Sequence, residues 1–272
     1  MIRKAIPEDK SSLEEMVRAM GGDYLPEVFE RWVKDNFYVI ELNGKIIGTG
    51  KITLLPNKVG WMEGLRVHPE YRGRGLGKLM HNFLIERGSE LAEEGVIDAL
   101  EFATNQYKSL SAHMALKTGF HVIAEFHHLR MKVSEFEPKK PMASGLSLND
   151  LPLEVIPLGW KFVHKSRESV KWLVKHGEVY KISGIKFLVP REGRTFTPLS
   201  FKQASIGKIL RGISWIAKDK GFEEFKIMLP GFIGINDLNL RQEEEYPGPP
   251  VAVFRKDLGS LKPSETLVPP GF

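Results

Sequence analysis

The chain of 272 residues contains no cysteine. Disulfide bonds, thiolate nucleophiles and cysteine-ligated zinc sites are therefore excluded. No apolar stretch approaches the ~20 residues that a membrane-spanning helix needs, and residues 1–4 lead directly into a strand–helix pattern without an apolar signal region. We expect a cytoplasmic protein that does not associate with membranes.

The eight histidines do not have the spacing of a metal site. His127 and His128 are adjacent in a predicted strand, so they point to opposite faces. No histidine pair is separated by four residues on a predicted helix with a carboxylate between them. We expect no metal cofactor.

The net charge of +5 belongs entirely to the C-terminal half. Residues 1–133 hold 18 basic and 18 acidic side chains, whereas residues 134–272 hold 21 and 16. The densest stretch, 161–194, carries nine Lys or Arg against three Glu. A solvated basic face is one interpretation, and a groove for an acidic substrate or for nucleic acid is the other. No nucleic-acid-binding motif is present, and we expect no nucleic-acid partner.

Apolar periodicity predicts an α/β (α+β) chain with two domains. A catalytic domain over residues 1–133 is followed by a linker over 134–150, where the periodicity lapses and Pro, Lys and Ser accumulate. A second α/β domain over 151–258 and a proline-containing tail over 259–272 complete the chain.

A glycine-rich turn between a strand and a helix is the most informative motif. The residues Arg72-Gly73-Arg74-Gly75-Leu76-Gly77 follow an apolar strand predicted over 59–67 and precede an amphipathic helix. Glycine allows a sharp turn without a Cβ near a ligand, and a helix N-terminus presents free N–H groups with the positive end of the dipole behind them. The motif suits a phosphate or pyrophosphate group.

The longer string from Leu65 to Gly77 resembles the acetyl-CoA signature of the GNAT superfamily of N-acetyltransferases, in which a strand ending V-x-P leads into [Q/R]-x-x-G-x-[G/A]. Asn105 after the next strand and Lys117-Thr118-Gly119-Phe120, similar to the K-x-G-F of the family, are further landmarks. The resemblance covers about residues 1–133. It implies the GNAT fold, a mixed and mostly antiparallel sheet flanked by helices, with acetyl-CoA as cosubstrate.

The resemblance also implies positions for the cosubstrate. Backbone N–H groups of Leu65, Arg66 and Val67 would polarise the thioester carbonyl, and Asn105 would contact the pantetheine arm. The pyrophosphate would lie on the loop and the start of the helix, formed by Arg72, Gly73, Arg74, Gly75, Leu76, Gly77 and Lys78.

One position departs from the family pattern. Many members have a tyrosine that protonates the thiolate, and the matching residue here is Ala115. Tyr107 and His113 lie on the same predicted helix but at other positions. Another group, water, or an unassisted thiolate would then complete the reaction.

Glu63 is the candidate general base. Strand alternation would place it on one face with Leu65 and Val67, and a charged residue in an apolar strand needs a partner or a purpose. A structural ion pair with Arg66 or Arg130 is the alternative. Trp61 is the tryptophan expected near the acceptor side.

A second segment resembles the first. Ser205-Ile206-Gly207-Lys208-Ile209-Leu210 aligns with Gly75-Leu76-Gly77-Lys78-Leu79-Met80, which suggests a degenerate second GNAT-like unit. Because this counterpart keeps one glycine and neither arginine, we expect it to bind nucleotides poorly.

Three function classes remain open. The first is an N-acetyltransferase for a small amine such as an amino acid, because the string 63–67 is similar to that of histidine N-acetyltransferase-like members; a protein N-terminus or lysine is the rival acceptor. The second is a non-catalytic acetyl-CoA-binding regulator, suggested by Ala115. The third is a nucleic-acid-binding module. We expect a monomer or homodimer.

Overall fold

The computed structural model describes residues 1–105, 109–234 and 250–258, with only the backbone of Asn105. The strands are β1 (Ile2–Lys4), β2 (Asn36–Leu42), β3 (Lys45–Leu55), β4 (Val59–Val67), β5 (Ala99–Asn105), β6 (His121–Lys132), β7 (Met142–Ala143), β8 (Val155–Leu158), β9 (Lys161–His164), β10 (Gly177–Ile182), β11 (Ile185–Pro190), β12 (Thr195–Pro198), β13 (Glu224–Pro230) and β14 (Val251–Asp257). The helices are α1 (Lys10–Ala19), α2 (Leu25–Trp32), α3 (Leu76–Glu93), α4 (Leu110–Lys117), α5 (Arg167–His176) and α6 (Gln203–Asp219). Among these helices, none is both long and apolar enough to cross a membrane.

The chain divides into two compact units. The first comprises Met1–Leu54, Lys58–Glu101 and the end of the chain from Lys256, and the second comprises Leu55–Asn57 and Phe102–Arg255. The sequence-based domain limits at 133 and 150 remain a prediction.

The first unit contains a sheet in the order β1-β2-β3-β4-β5. β1 and β2, and β2 and β3, are antiparallel, whereas β4 and β5 are parallel. Parallel neighbours need a crossover connection, and α3 provides it. The β2–β3 hairpin turns at Asn43 and Gly44, both with positive φ of 51° and 75°, as expected for an Asn-Gly turn.

Helices α1 and α2 cover part of this sheet with their apolar faces. Their spacing of apolar residues every three or four positions makes one face of each helix hydrophobic. The resulting core cluster consists of Ala5, Leu13, Met16, Val17, Leu25, Phe29, Trp32, Phe37, Val39 and Ile46.

Helix α3 packs closely on the sheet through small residues. A Cβ on Gly50 would lie 2.8 Å from Met80 Cγ, and one on Gly88 would lie 2.5 Å from Leu100 Cδ1. Met80 and Leu84 are buried, as the periodicity predicts, but Leu79 is 51% exposed. The helical periodicity of the sequence also predicts that Leu79 is buried; this prediction is wrong, because Leu79 lies one position outside the face that meets the sheet.

The second unit contains the strand order β14-β6-β13-β12-β11-β10-β7. β6 is one strand of 12 residues. The apolar pattern of the sequence predicts two short strands there, near 121–126 and 128–133, and this prediction is wrong. β10, β11 and β12 are successively antiparallel, and β12 and β13 are parallel, with α6 between them. The apolar periodicity of the sequence predicts one buried face for α6, and the structure confirms it with Ile206, Ile209, Leu210, Ile213, Ile216 and Ala217.

Candidate functional site

Strand β4 changes conformation in its second half. Its parallel pairing with β5 joins Val59–Trp61 to Ala99–Glu101, and β4 then continues to Val67. Within this continuation Gly64 has φ +67°, a left-handed conformation that glycine adopts without strain. The regular alternation of side chains is interrupted there, so alternation alone does not place Glu63 on the same face as Leu65.

The predicted glycine-rich loop follows β4 and opens α3. After a short 3-10 turn, Pro69–Tyr71, the chain passes through Gly73 and Gly75 with φ of +76° and +81°. Gly75 precedes the first residue of the helix, Leu76. Glycine has no side chain with which to cap the first N–H groups, so these groups are available to an anion.

The loop has open space above its glycines. A Cβ on Gly73 or Gly75 would meet no atom within 4 Å, and one on Gly77 would lie 3.9 Å from Val67 Cγ2. Backbone conformation, and not crowding by the protein, therefore requires the first two glycines. The open space and the uncapped helix start fit the pyrophosphate of the implied cosubstrate.

Basic side chains flank the loop. Arg72 Nε donates a hydrogen bond of 3.2 Å to the carbonyl oxygen of Val67, and the Arg74 guanidinium lies over the Tyr71 ring at 5.2 Å. Lys78 is exposed in the first turn of α3. These residues place positive charge around the glycines, as the sequence indicates.

The side chain of Arg66 is directed to another part of the first unit. Its Nε donates to Asp23 Oδ2 at 2.7 Å, and its guanidinium lies over the Tyr24 ring at 5.6 Å. Leu65, Arg66 and Val67 are half-buried and lie beyond the segment of β4 that pairs with β5. A role for their backbone N–H groups remains a prediction.

Glu63 is half-buried and accepts a short hydrogen bond from Thr53 Oγ1 on β3. The two predicted ion-pair candidates have other carboxylate partners: Arg66 binds Asp23, and Arg130 Nε lies 3.7 Å from Glu224. The hydroxyl of Thr53 holds a carboxylate oxygen in place, which is useful for a group that must take a proton in one orientation.

Tyr24 and Trp32 lie near this carboxylate. Their rings meet edge to face at 5.9 Å, and a Cβ on Gly64 would lie 2.5 Å from Trp32 Cζ3. Although 41% of Tyr24 is exposed, burial raises the pKa of its hydroxyl to about 12, with Arg66 opposing the shift and Glu63 adding to it. The hydroxyl is therefore protonated at neutral pH and can donate a hydrogen bond.

Asn105 and Ala115 lie in the second unit. Asn105 ends β5, and nothing is described of its side chain. Ala115 is fully buried and its carbonyl accepts from the N–H of Phe120 at 3.0 Å. Tyr107 lies outside the described residues.

Sequence reasoning missed Tyr24, Trp32, Asp23 and Thr53. Trp61, which it favoured, is 2% exposed and belongs to the core. Trp32 matches the helical apolar pattern of α2, so its second contact, with Gly64, had no separate signal. The pairing of Thr53 with Glu63 depends on the register between β3 and β4, which single residues do not reveal.

Comparison with known proteins agrees with this geometry. Residues 9–120 match the model of the acetyltransferase (GNAT) family. Among curated proteins, none matches the chain in sequence.

Solved structures resemble the chain over nearly its whole length. A putative acetyltransferase from Thermoplasma acidophilum is 20% identical with a TM-score of 0.60, covering 91% of this chain and 89% of its own. A GCN5-related N-acetyltransferase from Sphaerobacter thermophilus is 12% identical with a TM-score of 0.60, covering 95% and 96%. A putative acetyltransferase from Pyrococcus horikoshii is 16% identical with a TM-score of 0.56, covering 94% and 89%.

These likenesses confirm the predicted fold class, a mixed α/β GNAT fold with a large, mostly antiparallel sheet flanked by helices. Residues 9–120 of this chain are thus similar to the acetyltransferase domain of the GNAT family.

Proposed function

We propose that this protein transfers an acetyl group from acetyl-CoA to a primary amine, with a small molecule such as an amino acid as acceptor. The observation that carries the proposal is the loop at the start of α3, where Gly73 and Gly75 are left-handed and open to solvent. The predicted cytoplasmic location stays part of the proposal.

The cosubstrate-binding residues are those indicated by the sequence. The first-turn N–H groups of α3 would bind the pyrophosphate, with Arg72, Arg74 and Lys78 adding charge-assisted contacts. The N–H groups of residues 65–67 would stabilise the negative charge that develops on the carbonyl oxygen. Bound acetyl-CoA would supply the acetyl thioester.

Glu63 would act as the general base. An amine arrives mostly as its ammonium form and must lose a proton before its nitrogen can form the new C–N bond. Glu63, directly or through water, takes that proton, while Thr53 fixes the orientation of the carboxylate. The C–S bond breaks as the C–N bond is completed, and the thiolate leaves with its electron pair. The nitrogen then loses its second proton to water, which passes a proton to the thiolate, because Ala115 has no proton to give.

The first unit also offers contacts for the acceptor. The carboxylate of Glu63 favours a cationic amine through charge. Asp23 is paired with Arg66, and the rings of Tyr24 and Trp32 face Arg66 and Lys51, so these residues shape the acceptor side and leave the charge recognition to Glu63. Tyr24, protonated at neutral pH, would donate a hydrogen bond to the acceptor.

The order of strands and helices in the second unit supports the proposal that it is a degenerate GNAT-like unit. In it β12, α6 and parallel β13 follow one another as β4, α3 and parallel β5 do in the first unit. The residue before α6 is Lys202 with φ −67°, where the first unit has left-handed Gly75. We therefore propose that CoA binds the first loop alone.

Acetyl transfer can be measured without background because the chain contains no thiol. The protein is incubated with acetyl-CoA and separate sets of free amino acids including histidine, peptides with free N-termini, and N-terminally blocked lysine peptides. Release of CoA thiol is followed by absorbance after reaction with a disulfide reagent, and products are identified by mass. Acetylation of amino acids supports the proposal. Acetylation of peptides instead shows that the acceptor is a protein N-terminus or a lysine side chain. Tight CoA binding without transfer to any set would identify a regulator instead.

A further inference from the structure

The second unit contains a cavity in which three cationic side chains converge. Its volume is about 420 Å³, within the range of sites for small molecules. Its lining residues come from β6, β12, β13 and two loops: Arg130, Gly159, Trp160, Glu192, Gly193, Arg194, Thr195, Glu224 and Lys226.

Two of the cations lie directly opposite each other in the sheet. Arg130 of β6 and Lys226 of β13 are register partners in an antiparallel pair, so their side chains leave the same face. Like charges in this position destabilise a sheet. Glu224 lies 3.7 Å from Arg130 Nε and compensates part of this repulsion. An anion that binds both cationic groups would compensate the rest.

Arg194 supplies the third positive charge, next to the paired residues of β6, β13 and β12. Thr195 is the register partner of Lys226 on the other side, and the N–H of Lys226 donates to the carbonyl of Arg194 at 2.8 Å. The Arg194 guanidinium lies over the Phe222 ring at 4.7 Å. This stacking restricts the guanidinium, and a restricted guanidinium loses less entropy when it binds a carboxylate or phosphate.

Trp160 gives the cavity an apolar surface. The indole is 44% exposed, and its ring meets that of His128 edge to face at 5.0 Å. His128 Nε2 lies 3.2 Å from Thr195 Oγ1, which ties the aromatic pair to β12. An exposed but supported indole is suited to packing against the apolar part of a ligand.

The carboxylates of the cavity do not cancel its positive charge. Glu192 and Glu224 oppose Arg130, Arg194 and Lys226, so one positive charge is in excess. Burial lowers the pKa of Lys226, and Arg130 and Arg194 lower it further while Glu224 opposes them. Keeping the Lys226 ammonium charged therefore costs free energy, and a bound anion would reduce this cost.

We propose that this cavity binds a small organic anion, with Arg130, Arg194 and Lys226 on its carboxylate or phosphate and Trp160 on its apolar part. The site lies at the N-terminal ends of the parallel strands β12 and β13. The counterpart of the CoA loop follows the C-terminal end of β12, so this cavity is not a remnant of a CoA site. It is independent of the function proposed above.

Isothermal titration calorimetry of the full chain with benzoate and, separately, inorganic phosphate tests the site. Benzoate carries both an anion and an apolar ring, so stronger binding of benzoate identifies a carboxylate with an apolar part, whereas stronger binding of phosphate identifies a phosphoryl ligand. Arg194→Gln and Lys226→Met should each weaken the better probe at least tenfold. Arg191→Gln, which removes an exposed charge three residues before Arg194, should change it less than twofold.

Two further measurements test the proposed anion site independently of these affinities. Lys226→Met should raise the melting temperature of the ligand-free protein, because it removes the repulsion of Arg130. The Gly75→Glu variant should keep the anion binding, because its change lies in the CoA loop. Absence of binding of both probes below 10 mM (~3 kcal/mol of binding free energy), or equal weakening by Arg191→Gln and Arg194→Gln, would overturn the proposal.

Discussion

The indole of Trp32 occupies the space where a side chain at Gly64 would begin, with Cζ3 2.5 Å from the position of a Cβ. Gly64 is also left-handed, at φ +67°. Glycine is therefore required here for two separate reasons, one conformational and one steric.

Gly64→Ala should lower the free energy of unfolding by about 2–5 kcal/mol. The left-handed conformation contributes about 1–2 kcal/mol for a residue with a Cβ, and overpacking against Trp32 contributes about 1–3 kcal/mol. Urea denaturation measures the change. In a cycle with Trp32→Leu, the double variant should be more stable than the sum of the two single losses predicts; strict additivity would show that the steric part is absent.

Gly75→Glu should abolish CoA binding. The substitution places a negative charge and a side chain at the helix start where phosphates are expected. Calorimetric titration with CoA provides the measurement. Gly95→Glu is the matched control, because Gly95 is also left-handed at φ +72°, also has open space, and follows the other end of the same helix. Equal CoA affinity of the two variants would contradict the loop assignment.

Glu63→Gln should reduce kcat by ~100- to 10,000-fold, the usual contribution of general-base catalysis. CoA affinity and the melting temperature should persist, since glutamine can still accept from Thr53. The loss should shrink at high pH, where more of the amine arrives neutral. A loss that is equal at every pH and accompanied by a lower melting temperature would mark Glu63 as structural.

Thr53→Val provides a milder test of the same carboxylate. It removes the hydroxyl that donates to Glu63 while keeping the shape of the side chain. Loss of a hydrogen bond to a charged group costs about 1.5–3 kcal/mol, so kcat should fall at least ~10-fold. Unchanged turnover would show that orientation by Thr53 is unnecessary.

Tyr24→Phe should lower kcat/KM for the acceptor by ~3- to 10-fold, as expected for loss of one neutral hydrogen bond. The pKa of Tyr24 is raised to about 12, so the hydroxyl stays protonated between pH 6 and pH 10. The variant should shift the level of the pH–rate profile without changing its shape in that range. The disappearance of a limb would show that Tyr24 titrates during the reaction.

His128 should make stability depend on pH. Burial lowers its pKa to about 4 from the ordinary 6.5, with Lys226 and Arg130 adding to the effect. Because the unfolded chain then binds more protons between these values, stability is complete above pH 6.5 and falls as the pH drops towards 4, by about 3 kcal/mol.

Urea denaturation at a series of pH values tests this dependence. In the variant His128→Gln the amide can still form a hydrogen bond with Thr195. The part of the pH dependence of the free energy of unfolding that is due to His128 should then disappear. An unchanged slope in the variant would assign the dependence to other groups.

Local signals were sufficient for much of the fold. β4 has the predicted bounds because its apolar run is limited by a turn on one side and by Pro69 on the other. The Asn43-Gly44 turn and the buried face of α6 were predicted for similarly local reasons. The left-handed conformation of Gly64 was not, because a lone glycine in a strand is compatible with regular pleating as well as with a bulge.

Contacts between residues that are far apart in the sequence could not be predicted from it. The row of Arg130, Lys226 and Thr195 depends on the register of three strands that are widely separated in sequence. The sequence indicated only that the second half is basic. The order of the strands decides which positive charges lie together and which aromatic ring lies beside them.

The left-handed glycines at positions 73 and 75 differ from the one at position 64 in the substitutions that they can accept during evolution. Gly73 and Gly75 have open surroundings, so asparagine, which tolerates this backbone conformation, could replace either one without a compensating substitution elsewhere. At Gly64 the order of mutations matters, since Trp32 must first become smaller before any side chain can be accommodated. Lineages that keep the tryptophan are thereby committed to the glycine, and the bend of β4 is inherited as a linked pair of residues.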